Sequence, residues 1–442
     1  MKRILILVFT ISCLCVVMFT ISSCELLYSL NIDINNTDDE KTSGTGTTAD
    51  IDNDEKETTG LTFELLSDGT YELSKGNKNV SKIVIPKSYM GKPVTKINKY
   101  ALRQCTNLTS ISIPDSVTLI ETYAFYGCTS LKDIVVDENN KTYKSIDGNL
   151  YSKDGKTLIQ YAIGKSETKF TILDNVVNIE NYAFYASQHL TNIFISRSVT
   201  NVGEDAFFAC PNLTDILTDE NNAYYKSIDG NLYSKDGKTL LRYATGKTNS
   251  EVTTPNNITR IGNYAFSGCN KIKSITITSN IKNIGDSAFS LCENLITVTI
   301  QNGVAYMGTN VFSSCTRLAN VSIPDSITII SAYAFRDCSS LSNITIPNSI
   351  TSIENSAFMG CQKLKTVDIP DSVISIGQHA FSDCYNLTIV TIPDSVMNIG
   401  HVAFSGCYNL NIIYCEAESR PEGWENTWNY EGCYVKWGWN MD

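Results

Sequence analysis

The sequence predicts a solenoid with a 23-residue period: a β-rich α/β repeat with a parallel sheet on one face and two inserted β-hairpins. An Ala-Phe dipeptide recurs at fixed spacing, a short apolar alternation follows each copy, and two near-identical segments interrupt the series. A length of 442 residues alone would suggest about three ordinary domains. A unit this short cannot bury its own apolar face and must stack on its neighbours, so we expect one elongated domain over residues 61–414 instead.

The period rests on eleven copies of Ala-Phe or a close variant. Successive copies are 23 or 59 residues apart, and since 59 is 23 plus 36, two insertions of equal size interrupt one period. The copies are Ala101-Leu102, Ala124-Phe125, Ala183-Phe184, Ala206-Phe207, Ala265-Phe266, Ala288-Phe289, Val311-Phe312, Ala334-Phe335, Ala357-Phe358, Ala380-Phe381 and Ala403-Phe404.

Each copy predicts one short strand followed by a turn. From Leu318 to Cys338, the spacing of Leu318, Val321 and Ile323 is the alternation of a strand with one buried face, and Pro324 ends the strand because it cannot donate to a ladder. The remainder has room for about one helical turn. Fourteen candidate strands, including one at Ile83 to Ile85 and one in each insertion, would form a sheet about 60 Å long.

The insertions, residues 137–165 and 219–247, differ at five of 29 positions. Asp154-Gly155 and Asp236-Gly237 stand between apolar alternations, which predicts hairpins that project from the solenoid edge. The acidic start of each insertion does not have the spacing of an EF-hand calcium loop. We interpret it as a turn with Asx hydrogen bonds.

The repeat consensus L-x-x-I-x-I-P-x-x-V-x-x-I-x-x-x-A-F-x-x-C resembles the BspA-type leucine-rich repeat family of bacterial surface proteins over residues 61 to about 414. The resemblance implies a leucine-rich-repeat solenoid displayed on the cell surface. It also implies adhesion to host or extracellular-matrix proteins, and it brings no catalytic residues.

The N-terminus is typical of a bacterial lipoprotein. Residues 1–23 predict a signal peptide, with basic Lys2 and Arg3 before an apolar run, and Ile21-Ser22-Ser23-Cys24 resembles a lipobox that would make Cys24 the lipidated first residue. The alternative is an uncleaved signal anchor. Residues 24–60 predict an acidic disordered tether. Of the net charge of −11, the leader contributes +2 and the tether −8, which leaves −5 for residues 61–442.

Ten cysteines share one repeat position, and we interpret them as buried apolar side chains because no paired spacing typical of a metal site occurs. Cys415 and Cys433 remain; a disulfide between them would close the C-terminal segment, and the sequence leaves open whether they are bonded. The ten are Cys105, Cys128, Cys210, Cys269, Cys292, Cys315, Cys338, Cys361, Cys384 and Cys407.

Residues 415–442 hold all four tryptophans and predict a C-terminal cap over the apolar end of the solenoid. The alternative is a carbohydrate-binding stripe formed by Trp424, Trp428, Trp437 and Trp439.

The function expected is binding of a macromolecule, an unidentified protein or glycan, through the solenoid face; the alternative is a structural, self-associating envelope component. Ser112, Ser322, Thr345, Asp368 and Thr391 are expected on that face. Neither a nucleotide-binding glycine motif nor a catalytic histidine pattern occurs, so we expect no enzyme, metal or cofactor. The net negative charge argues against binding of nucleic acid. The protein would associate with the membrane through its lipid anchor.

Overall fold

A computed structural model describes residues 58–429 and 432–439, and within them it confirms the solenoid with its 23-residue period. Most rungs contribute a long strand and a short strand to parallel ladders, and the described residues contain no helix. The predicted signal peptide, Cys24 and nearly all of the tether lie outside the described residues.

The long strands pair in parallel with a register of one rung, but they form four sheets of three, three, four and four strands, so the expectation of one continuous sheet is wrong. The breaks fall at the two insertions and at residues 343–346, where a predicted strand is absent. The long strands are β3 (Lys82–Val84), β6 (Ser110–Ile113), β8 (Asp133–Val136), β12 (Lys169–Thr171), β14 (Asn192–Ile195), β16 (Asp215–Thr218), β20 (Glu251–Thr253), β22 (Ser274–Ile277), β24 (Thr297–Ile300), β26 (Asn320–Ser322), β29 (Thr366–Asp368), β31 (Ile389–Ile392), β33 (Ile412–Cys415) and β34 (Tyr434–Lys436).

A second, two-residue strand in most rungs was not predicted, because two residues carry too little alternation to recognise. These short strands stack in parallel on the other side of the core. They are β7 (Leu119–Ile120), β13 (Asn178–Ile179), β15 (Asn201–Val202), β21 (Arg260–Ile261), β23 (Asn283–Ile284), β25 (Tyr306–Met307), β27 (Ile329–Ile330), β28 (Ser352–Ile353), β30 (Ser375–Ile376) and β32 (Asn398–Ile399).

The segment around Ala-Phe is a tight turn in place of the predicted helical turn. The residue before Ala and the residue before Cys adopt left-handed backbone conformations in nearly every rung, as at Tyr333 (φ 59°) and Asp337 (φ 57°). The second of these positions is glycine in four rungs, for example Gly127 and Gly360, because glycine alone adopts positive φ without steric cost. Two left-handed residues only four positions apart are incompatible with a helix.

The core is a stack of aromatic rings with aliphatic side chains from both strands around it. From Tyr243 to Phe404, one ring per rung lies parallel to the next, with centroids 4.9–5.5 Å apart. The phenylalanines of this stack are fully buried or nearly so. A shorter stack of Tyr161, Phe184 and Phe207 has spacings of 5.4 and 5.5 Å.

Each insertion forms three antiparallel strands, with the predicted Asp-Gly hairpin between the second and the third, but the third strand rejoins the solenoid instead of projecting from its edge. In the first insertion, β11 (Thr157–Gln160) pairs antiparallel with β10 (Asn149–Ser152) and parallel with β13, which makes β11 a short strand of the next rung. Tyr161 follows it and starts the second ring stack, because its side chain is buried at the phenylalanine position. The strands of the insertions are β9 (Tyr143–Ile146), β10 (Asn149–Ser152), β11 (Thr157–Gln160), β17 (Tyr225–Ile228), β18 (Asn231–Ser234) and β19 (Thr239–Arg242).

Additional strands and two tryptophans lie at the ends of the described solenoid. β2 (Tyr71–Lys75) pairs antiparallel with β1 (Thr62–Leu65) and parallel with β5 (Lys92–Ile97), which also pairs with β4 (Ser88–Tyr89). At the other end, Trp424 and Trp428 are buried, and the Trp428 ring meets the edge of Phe404.

Candidate functional site

The long-strand sheets present one regular row of outward side chains, which we call the strand-centre row. Its members, one per rung, are aligned by strand register except at Thr345, where the strand is absent, and they alternate with side chains that point into the core. Three of the residues expected there, Ser322, Thr345 and Asp368, are exposed, and Ser112 and Thr391 are partly exposed. The row runs Val84, Ser112, Val135, then Thr171, Phe194, Leu217, then Thr253, Thr276, Thr299, Ser322, Thr345, then Asp368, Thr391, Tyr414, Lys436.

The chemistry of the strand-centre row changes along the solenoid. Four of the first six residues are apolar, with Val135 and Leu217 each about 40% exposed, the middle is a run of hydroxyls, and the C-terminal end carries Tyr414 and Lys436. Four rungs of Thr and Ser, from Thr253 to Ser322, are aligned by register. Such a surface offers many modest contacts at about 4.8 Å intervals.

A cavity of about 320 Å³ opens where the first insertion interrupts the rungs, and sequence analysis did not identify it. Five tyrosines line it: Tyr123 and Tyr126 from the rung before the insertion, Tyr143 from the insertion itself, and Tyr182 and Tyr185 from the rung after it. The rings of the two rungs approach each other in pairs, with centroids of Tyr123 and Tyr182 4.4 Å apart and those of Tyr126 and Tyr185 4.7 Å apart. Residues 59 apart in sequence therefore close one aromatic wall.

Two carboxylates, of Glu121 and Glu180, and two amides, of Gln160 and Asn181, also line this cavity. Glu121 Oε1 pairs with Lys96 Nζ at 2.8 Å, and Glu72 shares the same ammonium, so these three groups carry a net charge of −1. Glu180 is exposed on the opposite rung. Gln160 Nε2 donates to the carbonyl oxygen of Tyr161 at 2.8 Å. The lining residues are therefore aromatic and acidic, and the cations Lys96, Lys99 and Arg103 lie beside them.

At the second insertion the equivalent of Gln160, 82 residues on, is Arg242, and its side chain is buried. Its guanidinium donates to the carbonyl oxygens of Tyr264 at 2.6 Å, Ser267 at 3.1 Å and Phe207 at 3.3 Å. The buried carboxyl of Asp205 lies close enough for Arg242 to lower its pKa, although burial outweighs this and raises that pKa to about 6. Asp205 also accepts a hydrogen bond from Tyr182 at 2.7 Å.

The repeated cysteines lie in the core, as expected, and have an unexpected second role. The Cys338 thiol donates to the carbonyl oxygen of Phe312 in the preceding rung at 3.2 Å, and seven other rungs repeat this bond. Burial raises the pKa of the Cys128 and Cys210 thiols to about 12. These thiols are therefore poor nucleophiles at neutral pH.

The register of the last two strands separates Cys415 from Cys433. Ile412 pairs with Tyr434, so Cys433 is level with residue 411 while Cys415 is level with residue 437. Four positions along the ladder correspond to about 13 Å, whereas a disulfide needs Cα atoms within about 7 Å. The described geometry does not place the two sulfurs at bonding distance.

The tryptophans do not form one exposed stripe. Trp424 and Trp428 are 2% and 4% exposed, and Trp424 Nε1 donates to the carbonyl oxygen of Val396 at 2.9 Å. Trp439 is partly exposed, with Lys436 Nζ 4.2 Å from its ring centroid. Two of the four rings are thus unavailable to stack on a sugar.

The described residues contain neither a candidate metal site nor a candidate membrane span. No group of three or more His, Cys, Asp or Glu side chains there could hold a metal ion, and no helix there is long and apolar enough to cross a membrane.

The two-strand rung, the stacked phenylalanines and the 23-residue period define a leucine-rich repeat solenoid. The chain belongs to the BspA-type leucine-rich repeat family, whose model matches in six copies over residues 73–158, 159–236, 243–365 and 328–421. Proteins of this family are typically non-enzymatic binding scaffolds, and membership is consistent with surface exposure and protein interaction or adhesion. No curated protein matches the chain.

Solved leucine-rich repeat proteins resemble this structure. One from Eubacterium ventriosum is 23% identical, with a TM-score of 0.57 over 83% of this chain and 95% of that chain. One from Bacteroides ovatus is 24% identical, with a TM-score of 0.45 over 85% and 98%. A leucine-rich cell surface protein from Faecalibacterium prausnitzii is 26% identical, with a TM-score of 0.38 over 86% and 97%. The first of these likenesses supports the fold.

Proposed function

We propose that this protein is a lipid-anchored surface protein that binds a macromolecular partner, in the first instance a protein, through the strand-centre row. The observation that carries the proposal is the row itself: register fixes its side chains on adjacent strands, from Thr253 to Ser322 without interruption. Because the backbone is held by ladders on both sides of the core, few conformations are lost on binding.

The composition of the row favours a protein partner. Exposed Val135 and Leu217 can be desolvated at small cost, and hydroxyls can exchange water for partner groups. The charge of −5 over residues 61–442 gives little long-range steering, so we expect weak dependence on salt.

The test is a binding screen of the protein against matrix proteins, glycans and itself, followed by two matched variants. Thr299→Arg places a long charged side chain in the strand-centre row, and Thr351→Arg places the same side chain beside the short strand β28. We expect Thr299→Arg to weaken binding at least tenfold and Thr351→Arg to leave it unchanged. Equal loss in both variants, or association with itself alone, would refute the proposal in favour of the structural alternative.

Anchoring is tested separately, because Cys24 lies outside the described residues. In a bacterial host, Cys24→Ser should prevent lipidation and move the protein from the membrane fraction to the soluble fraction. Unchanged fractionation would support the signal-anchor alternative.

A further inference from the structure

The two insertions provide an internal comparison, since they are near copies with different cavities. They differ at five positions, and three of these, Ile159, Gln160 and Ile163, line the 320 Å³ cavity. Their counterparts are Leu241, Arg242 and Thr245. The differences are thus concentrated at the cavity.

The second insertion shows which side chain occupies the equivalent position. The Arg242 guanidinium is buried there and donates to carbonyl oxygens of Phe207, Tyr264 and Ser267. An offset of 82 residues maps these carbonyls onto Phe125, Tyr182 and Tyr185, and all three residues line the first cavity. The first cavity therefore repeats the three positions whose carbonyls accept the guanidinium, with Tyr185 in place of Ser267 and the shorter Gln160 in place of the arginine.

The acidic residues near these two equivalent positions also differ. Asp205 faces Arg242 in the second insertion, and its counterpart at the first is Tyr123. Glu121 and Glu180 line the first cavity, and their counterparts are Gly203 and Gly262, which have no side chain. Each site thus has acidic groups of its own, which suits a cation from outside the chain at the first cavity.

The tyrosine wall adds a second form of cation recognition. Lys99 Nζ lies 5.6 Å from the Tyr123 ring centroid, and the Arg103 guanidinium carbon lies 5.8 Å from that of Tyr126. Both distances are in the range of cation–π attraction. The volume of about 320 Å³ is at the lower end of ligand pockets and fits one side chain.

We propose that the cavity at the first insertion binds a guanidinium group, an arginine side chain inserted by the protein partner. The assignment of the arginine to a partner rests on the proposed function, whereas the affinity of the cavity for a guanidinium does not. The cavity thereby gives the binding surface a specific anchor point beside the row of modest contacts.

The experiment measures binding of N-acetyl-L-arginine N-methylamide to the full protein by ligand-observed NMR titration, with the citrulline counterpart as an uncharged probe of the same shape. We expect one saturable site, with the arginine probe at least tenfold tighter than the citrulline probe. Equal affinity of the two probes, or no binding of arginine, would overturn the proposal.

Two variants locate the site. Gln160→Arg should fill the cavity as Arg242 fills its counterpart and reduce probe binding at least tenfold, whereas Gln378→Arg, the same change at an exposed position, should not. If Gln160→Arg does not fold by circular dichroism, Tyr126→Leu, which removes one ring from the wall, carries the same expectation. Full binding by a folded cavity variant overturns the assignment.

The partner is tested apart from the cavity. A protein partner that binds Gln160→Arg as well as it binds the unaltered protein would refute the partner's arginine while leaving the probe result intact. Probe binding in a protein for which the screen finds no protein partner would refute the proposed function alone.

Discussion

The phenylalanine stack should contribute strongly to stability, and Phe335 tests this directly. Its ring is fully buried between Phe312 and Phe358, with centroids 5.5 and 5.3 Å away. Phe335→Leu keeps most of the apolar volume but removes both stacked contacts, each worth about 0.5–1.5 kcal/mol, so we expect a loss of about 1–3 kcal/mol. Phe335→Ala also leaves a cavity, and we expect a loss of at least about 3–5 kcal/mol.

Tyr408→Leu is the matched control. Tyr408 stacks on Tyr385 at 5.6 Å, a geometry similar to that of the core stack, but its side chain is 78% exposed. Because little apolar surface is buried there, the change should cost less than about 0.5 kcal/mol.

The assay is urea denaturation followed by two signals. Far-UV circular dichroism reports the ladders along the solenoid, whereas tryptophan fluorescence reports only residues 424–439, since all four tryptophans lie there. Nearest-neighbour coupling between rungs predicts that a change at Phe335 moves both transitions together. Equal effects of Phe335→Leu and Tyr408→Leu would refute the importance of the buried stack.

Three further predictions concern single positions. Burial raises the pKa of Asp205 to about 6, so the folded protein binds the proton of this carboxyl more tightly than the unfolded chain does. The stability that this proton contributes is therefore present below about pH 4 and is lost as pH rises through about 6. In thermal melts, Asp205→Asn should therefore be about 2–3 kcal/mol more stable than the unaltered protein at pH 7.5 and no more stable at pH 4; a constant difference would contradict the assigned cause. Ala209 (φ 56°) and Gly127 (φ 72°) occupy the same left-handed position of the repeat. In urea denaturation, Ala209→Gly should therefore stabilise the protein and Gly127→Ala should destabilise it, each by about 0.5–1 kcal/mol. A change of the same sign in both variants would refute the backbone argument. Thiol titration of the native protein should leave the buried repeat cysteines such as Cys338 unlabelled until urea is added, and rapid labelling of all thiols would contradict their burial.

The long strands were predictable because buried and exposed side chains alternate over several residues, as in Thr297–Ile300. The short strands were not, because a pair such as Ile329-Ile330 has no period to detect. The turn could have been recognised from Gly127 and Gly360 at the position before cysteine, where glycine and aspartate replace one another. The insertions were located correctly, but their return into the short-strand sheet depends on long-range pairing of β11 with β13, which local turn chemistry does not specify.

The cavity shows why a repeat needs an interruption to acquire a specific site. Within a regular run, each phenylalanine packs on the next at about 5 Å and leaves no room for a ligand. The first insertion starts a new stack at Tyr161, so the ring of Phe125 no longer has a successor at stacking distance among the described rings, and tyrosines 59 residues apart close over the gap. The second insertion makes the same interruption and fills it with Arg242. The two near-identical insertions thus leave two equivalent gaps, and a few sequence differences suffice to fill one with a buried arginine and leave the other open to a partner.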